Sequence, residues 1–222
     1  MKDWLSVVAV YLVPAYLVGS IPWGYLFGRF KGVDIRQHGS GNIGATNAWR
    51  VLGRGWGSAT FVLDFLKVPF AAAVTGLLGS LILRAPLGDW AHAMIGIAPF
   101  LGAVLGHNYS LYLAFRGGKG IATSAGGLLW LMPTAFLTVA LSWGLIFGIS
   151  RYVSLASVVA ALVLPVTAFL LYRDQALLWI FSTFLSAMAI WRHRSNLERL
   201  MRGTEHRWAP GKEPAVCHET KT

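Results

Sequence analysis

The stretch with the most chemistry in this 222-residue chain is Asp34-Ile-Arg36-Gln-His38-Gly-Ser40-Gly41-Asn42-Ile-Gly44-Ala-Thr46-Asn47-Ala-Trp-Arg50. Glycines let successive backbone N–H groups turn toward one point and form an anion nest. Ser40, Asn42, Thr46 and Asn47 add neutral donors around Gly41 and Gly44. Arg36 and Arg50 bring guanidinium forks that match phosphate geometry. A helix starting near Thr46 would aim its N-terminus at the same anion. A flexible turn between two helices also uses Gly, Ser and Asn; the two arginines in a basic segment favour the anion site.

Two further clusters carry the same character. Gly106-His107-Asn108-Tyr109 is followed by Arg116-Gly117-Gly118-Lys119-Gly120-Ile-Ala-Thr123, a glycine-rich basic turn that leads into a helix. It is not a nucleotide-binding P-loop, because Leu113 and Gly120 stand where that motif needs Gly and Ser/Thr. Arg116 and Lys119 serve either as ligands for an anion or as topology markers, and Lys119 between glycines favours a ligand. The third cluster runs from His193 through Asn196 and Arg199 to Glu205. His193 and Asn196, spaced i, i+3, share a helix face and read as a functional pair. The neighbouring arginines fit equally a solvated helix lying on anionic lipid. Glu205 among arginines reads as a structural anchor. Asp64 and Lys67, also i, i+3, lie in an apolar run and read as a structural ion pair. His92 is placed at the outer interface without a catalytic role.

Composition decides the solvent of these clusters. The chain is 55% hydrophobic and 13% charged, against ~45–50% and ~25% in soluble domains. Disorder, collagen and disulfide scaffolds are excluded, and a water-soluble globule is nearly so, because such a surface could not be kept wet. Nineteen Lys+Arg against nine Asp+Glu leave +10, but the basic residues sit in gaps between long apolar runs. Positive-inside topology and anionic ligands therefore explain the charge better than nucleic acid does. Cys217, the single cysteine, can form neither an intramolecular disulfide nor a cysteine metal site. No metal-ligand cluster or cofactor motif is read from the sequence.

A bilayer span needs ~20 apolar residues. The apolar runs are Trp4–Phe27, which reads as one retained helix, about Trp56–Leu83, Trp90–Leu105, Ile121–Ile149, Tyr152–Tyr172 and Ala176–Trp191. Three basic segments, Arg29–Arg54, Gly106–Gly120 and the tail 192–222, belong in the cytoplasm, which puts the N-terminus outside. Keeping Ile121–Ile149 whole gives six spans and an external tail; splitting it at Pro133, near its middle, gives seven and keeps the Arg-rich tail in the cytoplasm, which is preferred. The expectation is an all-α integral membrane protein with seven transmembrane helices, some short or broken. It forms a single membrane domain over residues 1–222, with a polar tail at 192–222.

Taken together, the motifs resemble a known family. Gly19-Ser-Ile-Pro22-Trp-Gly24-Tyr-Leu-Phe-Gly28 with Asp34–Arg50, Gly106–Thr123, and His193…Asn196…Arg199…Gly203-Thr-Glu205 are similar, in order, to the three motifs of the bacterial acyl-phosphate-dependent glycerol-3-phosphate acyltransferases (PlsY type). The chain departs from the family at Asn108-Tyr-Ser110, where proline is common, and at Val68, where glycine commonly follows Asp-x-x-Lys.

The resemblance implies acyl transfer from acyl phosphate to the primary hydroxyl of sn-glycerol 3-phosphate at the cytoplasmic face of the bacterial inner membrane. The products are lysophosphatidic acid and phosphate, in the first step of phospholipid synthesis. It implies that Ser40 and Arg50 hold glycerol 3-phosphate or the transition state, that Lys119, His193 and Asn196 complete that site, and that Gly41–Asn47 grips the acyl phosphate. His107, Arg116, Gly117, Gly118 and Gly120 join the substrate-binding set. Membrane lipid and a soluble enzyme that makes acyl phosphate are the expected partners. The activated donor needs no covalent intermediate, and no Gly-x-Ser-x-Gly elbow or His-x-x-x-x-Asp pattern occurs. The hydroxyl proton goes to His107, to His193 or to substrate phosphate, the last being favoured. The rival reading is a transporter of a phosphorylated metabolite, which would also use basic glycine-rich loops and broken helices.

Overall fold

A computed structural model describes residues 5–6, 8–83 and 89–208, with backbone alone for 89–93; the His92 side chain and Cys217 therefore lie outside the described residues. Among the described residues every regular element is helical. They group into two compact units, one up to Gly127 and one from Leu128 onward.

In the first unit a π-helical turn, Val8–Leu12, leads into α1 (Val13–Ser20), and α2 (Trp23–Phe30) follows. The continuous helix expected over Trp4–Phe27 is thus broken at Ile21–Pro22. Proline has no N–H and its ring disfavours helical backbone at the residue before it; Ile21 is extended at φ −60°, ψ 114°. Beyond the break Gly24 lies directly against the Ile43 carbonyl, which brings α2 onto the first glycine-rich loop.

After that loop come α3 (Ala45–Leu52), α4 (Arg54–Ile82) and α5 (Asp89–Asn108). α1 and α5 cross where Gly19 meets the Ala103 carbonyl and Gly106 meets the Tyr16 carbonyl, contacts that leave no room for a Cβ. Gly102 and Gly106 are spaced as in the small-xxx-small pattern that lets helix backbones approach closely. Pro69 and Pro99 lie inside α4 and α5 without ending them. α6 (Ile121–Leu131) begins in this unit, with Gly126 on the Phe65 carbonyl and Gly127 on the Phe100 ring.

Pro133 is the first residue of α7 (Pro133–Ser150), so α6 and α7 are separate helices. The residue between them, Met132, is non-helical at φ −138°, ψ 64°. α8 (Val153–Leu171), α9 (Ala176–Arg192) and α10 (Arg194–Met201) complete the second unit. Its buried faces are small and polar: Trp143 Nε1 donates to Ser157 Oγ at 3.2 Å, and Ser182 Oγ to Met132 Sδ at 3.5 Å. Such side chains hold helices together where lipid removes the hydrophobic drive between them. The outer face of α7 carries Leu137, Leu141, Leu145 and Ile149, all exposed and four residues apart, a stripe suited to lipid.

Among the described residues, four helical segments are long and apolar enough to cross a membrane: Val8–Phe30, Arg54–Ile82, Pro133–Ser150 and Val153–Leu171. Ile121–Leu131 and Ala176–Arg192 are shorter apolar helices.

Candidate active site

The first glycine-rich loop is built around Asn47, on the first turn of α3 and 1% exposed. Its Oδ1 accepts the Ser40 backbone N–H at 2.9 Å. Its Nδ2 donates to the Ile35 carbonyl at 2.9 Å and the His38 carbonyl at 3.1 Å. Both amide hydrogens and one acceptor position are thereby committed to the loop. Gly39, at φ +60°, passes so close to Asn47 Oδ1 that a Cβ would not fit. Asn42 Oδ1 accepts the Gly44 N–H at 2.8 Å and shapes the entry into α3, which starts at Ala45. Ser40 and Gly41 are exposed on this frame, Thr46 is half-buried, and Arg50 lies one turn along the same helix.

Arg36 differs from the sequence expectation of an anion-binding arginine. Its Nε and Nη2 form a fork on the Asp34 carboxylate, at 2.9 Å to Oδ1 and 2.6 Å to Oδ2, and its guanidinium lies 4.6 Å from the Tyr25 ring centre. Spacing of two residues across the turn Ile35–Gln37 brings the acid and the fork together, so Arg36 braces the loop. These hydrogen bonds hold the Asp34 carboxyl down at about 2.

The second loop is anchored from below. Gly117 N–H donates to the Asn108 carbonyl at 3.2 Å and Gly118 N–H to the His107 carbonyl at 2.9 Å. Ser110 Oγ donates to the Ser20 carbonyl at 2.6 Å, tying the loop to the end of α1. Ser110 has φ −61°, a backbone value that proline also adopts. Gly120, at φ +78°, fits against Asn108 Oδ1, where a Cβ would lie 2.7 Å away. Arg116 is exposed, and Lys119 is half-buried between two buried glycines.

One apolar cluster carries both loops. Leu113, from the second, packs with Ile35, Ile43 and Val51, from the first loop and α3. Beneath the second loop Lys67 Nζ lies 2.8 Å from Asp64 Oδ1 and 3.1 Å from His107 Nδ1, with all three side chains 5% exposed or less. The spacing in the sequence shows the Asp64–Lys67 pair but not its contact with His107, which lies forty residues further on.

In the second unit His193 sits at the corner between α9 and α10, and its Nδ1 lies 2.8 Å from the Ala189 carbonyl. A carbonyl only accepts, so Nδ1 carries the proton, and in the neutral ring Nε2 is the acceptor. Asn196 Nδ2 donates to Glu205 Oε1 at 2.7 Å, Ser154 Oγ to the same oxygen at 2.8 Å, and Arg199 Nε to Oε2 at 2.7 Å. Burial pushes the Glu205 carboxyl up, but these three donors and the arginine charge outweigh it and hold the group below the usual glutamate range. Trp208 N–H donates to the Arg151 carbonyl at 2.8 Å, so the described part of the tail folds back onto the turn between α7 and α8. Ser154 has no sequence signal as a partner of Glu205, fifty-one residues away.

The family model for glycerol-3-phosphate acyltransferase matches residues 9–203. The glycerol-3-phosphate acyltransferase of Thermus thermophilus is 48% identical over 204 residues, covering 88% of this chain and 92% of its own length. That of Desulforudis audaxviator is 45% identical over 208 residues, covering 92% and 98%. Among solved structures, the integral membrane glycerol 3-phosphate acyltransferase PlsY (YgiH) in its glycerol 3-phosphate form superimposes with a TM-score of 0.74 at 36% identity, over 94% of this chain and 96% of that one. Its lysophosphatidic acid form gives 0.74 at 37% identity, over 92% and 96%. With three ordered motifs, an all-helical fold and near full-length likeness in agreement, this chain belongs to the glycerol-3-phosphate acyltransferase family of integral membrane proteins.

Proposed function

We propose that the protein transfers a fatty acyl group from acyl phosphate to the primary hydroxyl of sn-glycerol 3-phosphate, at the cytoplasmic face of a bacterial inner membrane. The observation that carries this reading is the Leu113 cluster, which mounts two glycine-rich basic loops on one core. Both substrates carry a phosphate, so two anion-binding loops held in fixed relation suit a reaction between them. The solved relative in glycerol 3-phosphate and lysophosphatidic acid forms supports the same acceptor and product here.

In this reaction the acceptor hydroxyl oxygen bonds to the acyl carbonyl carbon, and the bond from that carbon to the phosphate oxygen breaks. The hydroxyl proton leaves with the phosphate. Gly41, Asn42, Gly44 and Thr46 grip the donor phosphate, with Asn47 shaping that grip. Ser40, Arg50 and Lys119 meet the acceptor and the charge that develops on the carbonyl oxygen. His107, Arg116, Gly117, Gly118 and Gly120 form the second anion loop. In the second unit, Asn196 and Glu205 fix the end of the chain on α8 through Ser154. His107 is a poor proton acceptor because its Nδ1 faces the Lys67 ammonium, which favours the phosphate as acceptor. The apolar helical segments make seven spans, with the N-terminus outside. Acyl phosphate comes from a soluble acylating enzyme.

The test uses purified protein in liposomes with palmitoyl phosphate and glycerol 3-phosphate. Formation of lysophosphatidic acid with stoichiometric phosphate release is expected. Uptake of glycerol 3-phosphate without either product would overturn the reading in favour of a carrier.

A further inference from the structure

Asp64, Lys67 and His107 occupy a place that an inert ion pair would not need. A charged pair in an apolar helix is costly to bury, and replacing both members by well-packed apolar residues of similar volume often leaves a protein as stable or more so. Here the pair is joined to a third group. A lysine ammonium has donors only, so its 3.1 Å contact with His107 Nδ1 makes Nδ1 the acceptor and leaves the proton of the neutral ring on Nε2. Asp64 Oδ1 lies 2.8 Å from Lys67 Nζ and 3.4 Å from His107 Nδ1. It balances the ammonium and would itself draw a proton onto Nδ1 if the lysine were absent.

The other edge of the ring faces the loop. His107 Nε2 lies where a Cβ of Gly118 would be, with Cε1 2.9 Å and Cδ2 3.0 Å from the same point. The His107 carbonyl also holds the Gly118 N–H. Ring orientation and the Gly117–Gly118 turn are therefore mechanically linked, and Lys119 is the next residue.

We infer that Asp64 and Lys67 act as positioning residues: they lock His107 in its Nε2–H form, and the locked ring sets the turn that presents Lys119 to substrate phosphate. The link to substrate rests on the proposed reaction; the tautomer does not.

The test labels the protein with ¹⁵N-histidine in nanodiscs, His107 being assigned by its loss in His107→Gln. Wild type is expected to show an unprotonated Nδ1 and a protonated Nε2, and Lys67→Met to move the proton onto Nδ1 facing Asp64. A wild-type ring protonated on Nδ1, or a tautomer unchanged in Lys67→Met, overturns the lock. Kinetics decide the second half. Lys67→Met is expected to raise KM for glycerol 3-phosphate by about tenfold or more, because small misplacements cost that much, and Lys67→Arg to bring it back toward wild type. Unchanged KM per folded protein in Lys67→Met, with only the folded yield reduced, overturns the positioning role. If Lys67→Met does not fold, the wild-type tautomer and the Lys67→Arg kinetics still decide. A wild-type protein that makes no lysophosphatidic acid would refute the reaction while leaving the tautomer result standing.

Discussion

Asn47 accepts the backbone N–H of Ser40 at 2.9 Å across seven residues, and so joins the start of α3 to the apex of the loop in front of it. The side chain that the sequence offers as a phosphate donor spends both amide hydrogens on loop carbonyls. Ser40 is presented outward because Asn47 is held inward.

Replacing Asn47 by alanine should therefore loosen the loop before it weakens any direct contact. It leaves the Ser40 N–H and two carbonyls without their partner, at a cost of about 1–3 kcal/mol. Thermal unfolding in detergent should show the loss, and activity should fall with it. A variant as stable as wild type would exclude this frame.

Ser40→Ala and Arg50→Ala should behave in the opposite way. Ser40 is exposed, so its hydroxyl adds little to stability. Each variant is expected to keep the wild-type unfolding temperature within a few degrees and to lose roughly 10²-fold or more in turnover, as removal of a transition-state donor does. Phosphate release from palmitoyl phosphate measures this directly.

Two glycine substitutions separate packing from propensity. A methyl group at Gly118 would fall on the His107 ring, so Gly118→Ala should lose folding or activity. Gly76, in α4, has nothing within 4 Å of its Cβ position, so Gly76→Ala should be neutral or stabilise by up to about 1 kcal/mol. Unfolding temperatures of the two variants in the same detergent give the comparison.

The carboxylates predict a pH window. Asp34 falls from 3.8 to about 2 on folding, so its stabilisation is complete above 3.8 and is lost as the pH drops toward 2. Because Arg36 is 39% exposed on its side chain, the contribution is about 1 kcal/mol or less. Glu205 is shifted the same way, and its stabilisation is present above 4.5 and lost as the pH falls through its lower folded value. Chemical denaturation at stepped pH should show the difference between wild type and Asp34→Asn shrinking as the pH falls from 3.8 through about 2. A difference that grows on acidification would reverse the sign.

Cys217 is a natural topology probe. The proposed orientation, with the tail in the cytoplasm, predicts that a membrane-impermeant maleimide labels the chain only after cells are permeabilised. Labelling of intact spheroplasts would break the orientation.

Much of this protein is written locally. Apolar runs mark the helices within a few residues, as with Arg54–Ile82, because length and hydropathy are properties of a segment alone. The three motifs, in their order, resemble the family to which the chain belongs, because they are contiguous stretches legible without the fold. Local signals also mislead. Pro22 and Pro133 interrupt their apolar runs, while Pro69, Pro99 and Pro165 lie within continuous helices. Whether a helix survives a proline depends on what neighbouring segments offer the freed carbonyl, which no window of sequence contains.

Tertiary structure alone assigns each polar side chain its partner. Asp34 takes the fork of Arg36, Glu205 gathers Ser154 with Asn196 and Arg199, and Lys67 faces both Asp64 and His107. Residue type states how many hydrogen bonds a group can make. Only the folded chain, bringing together residues up to ninety-three positions apart, decides where those bonds are spent, and so which groups brace the loops.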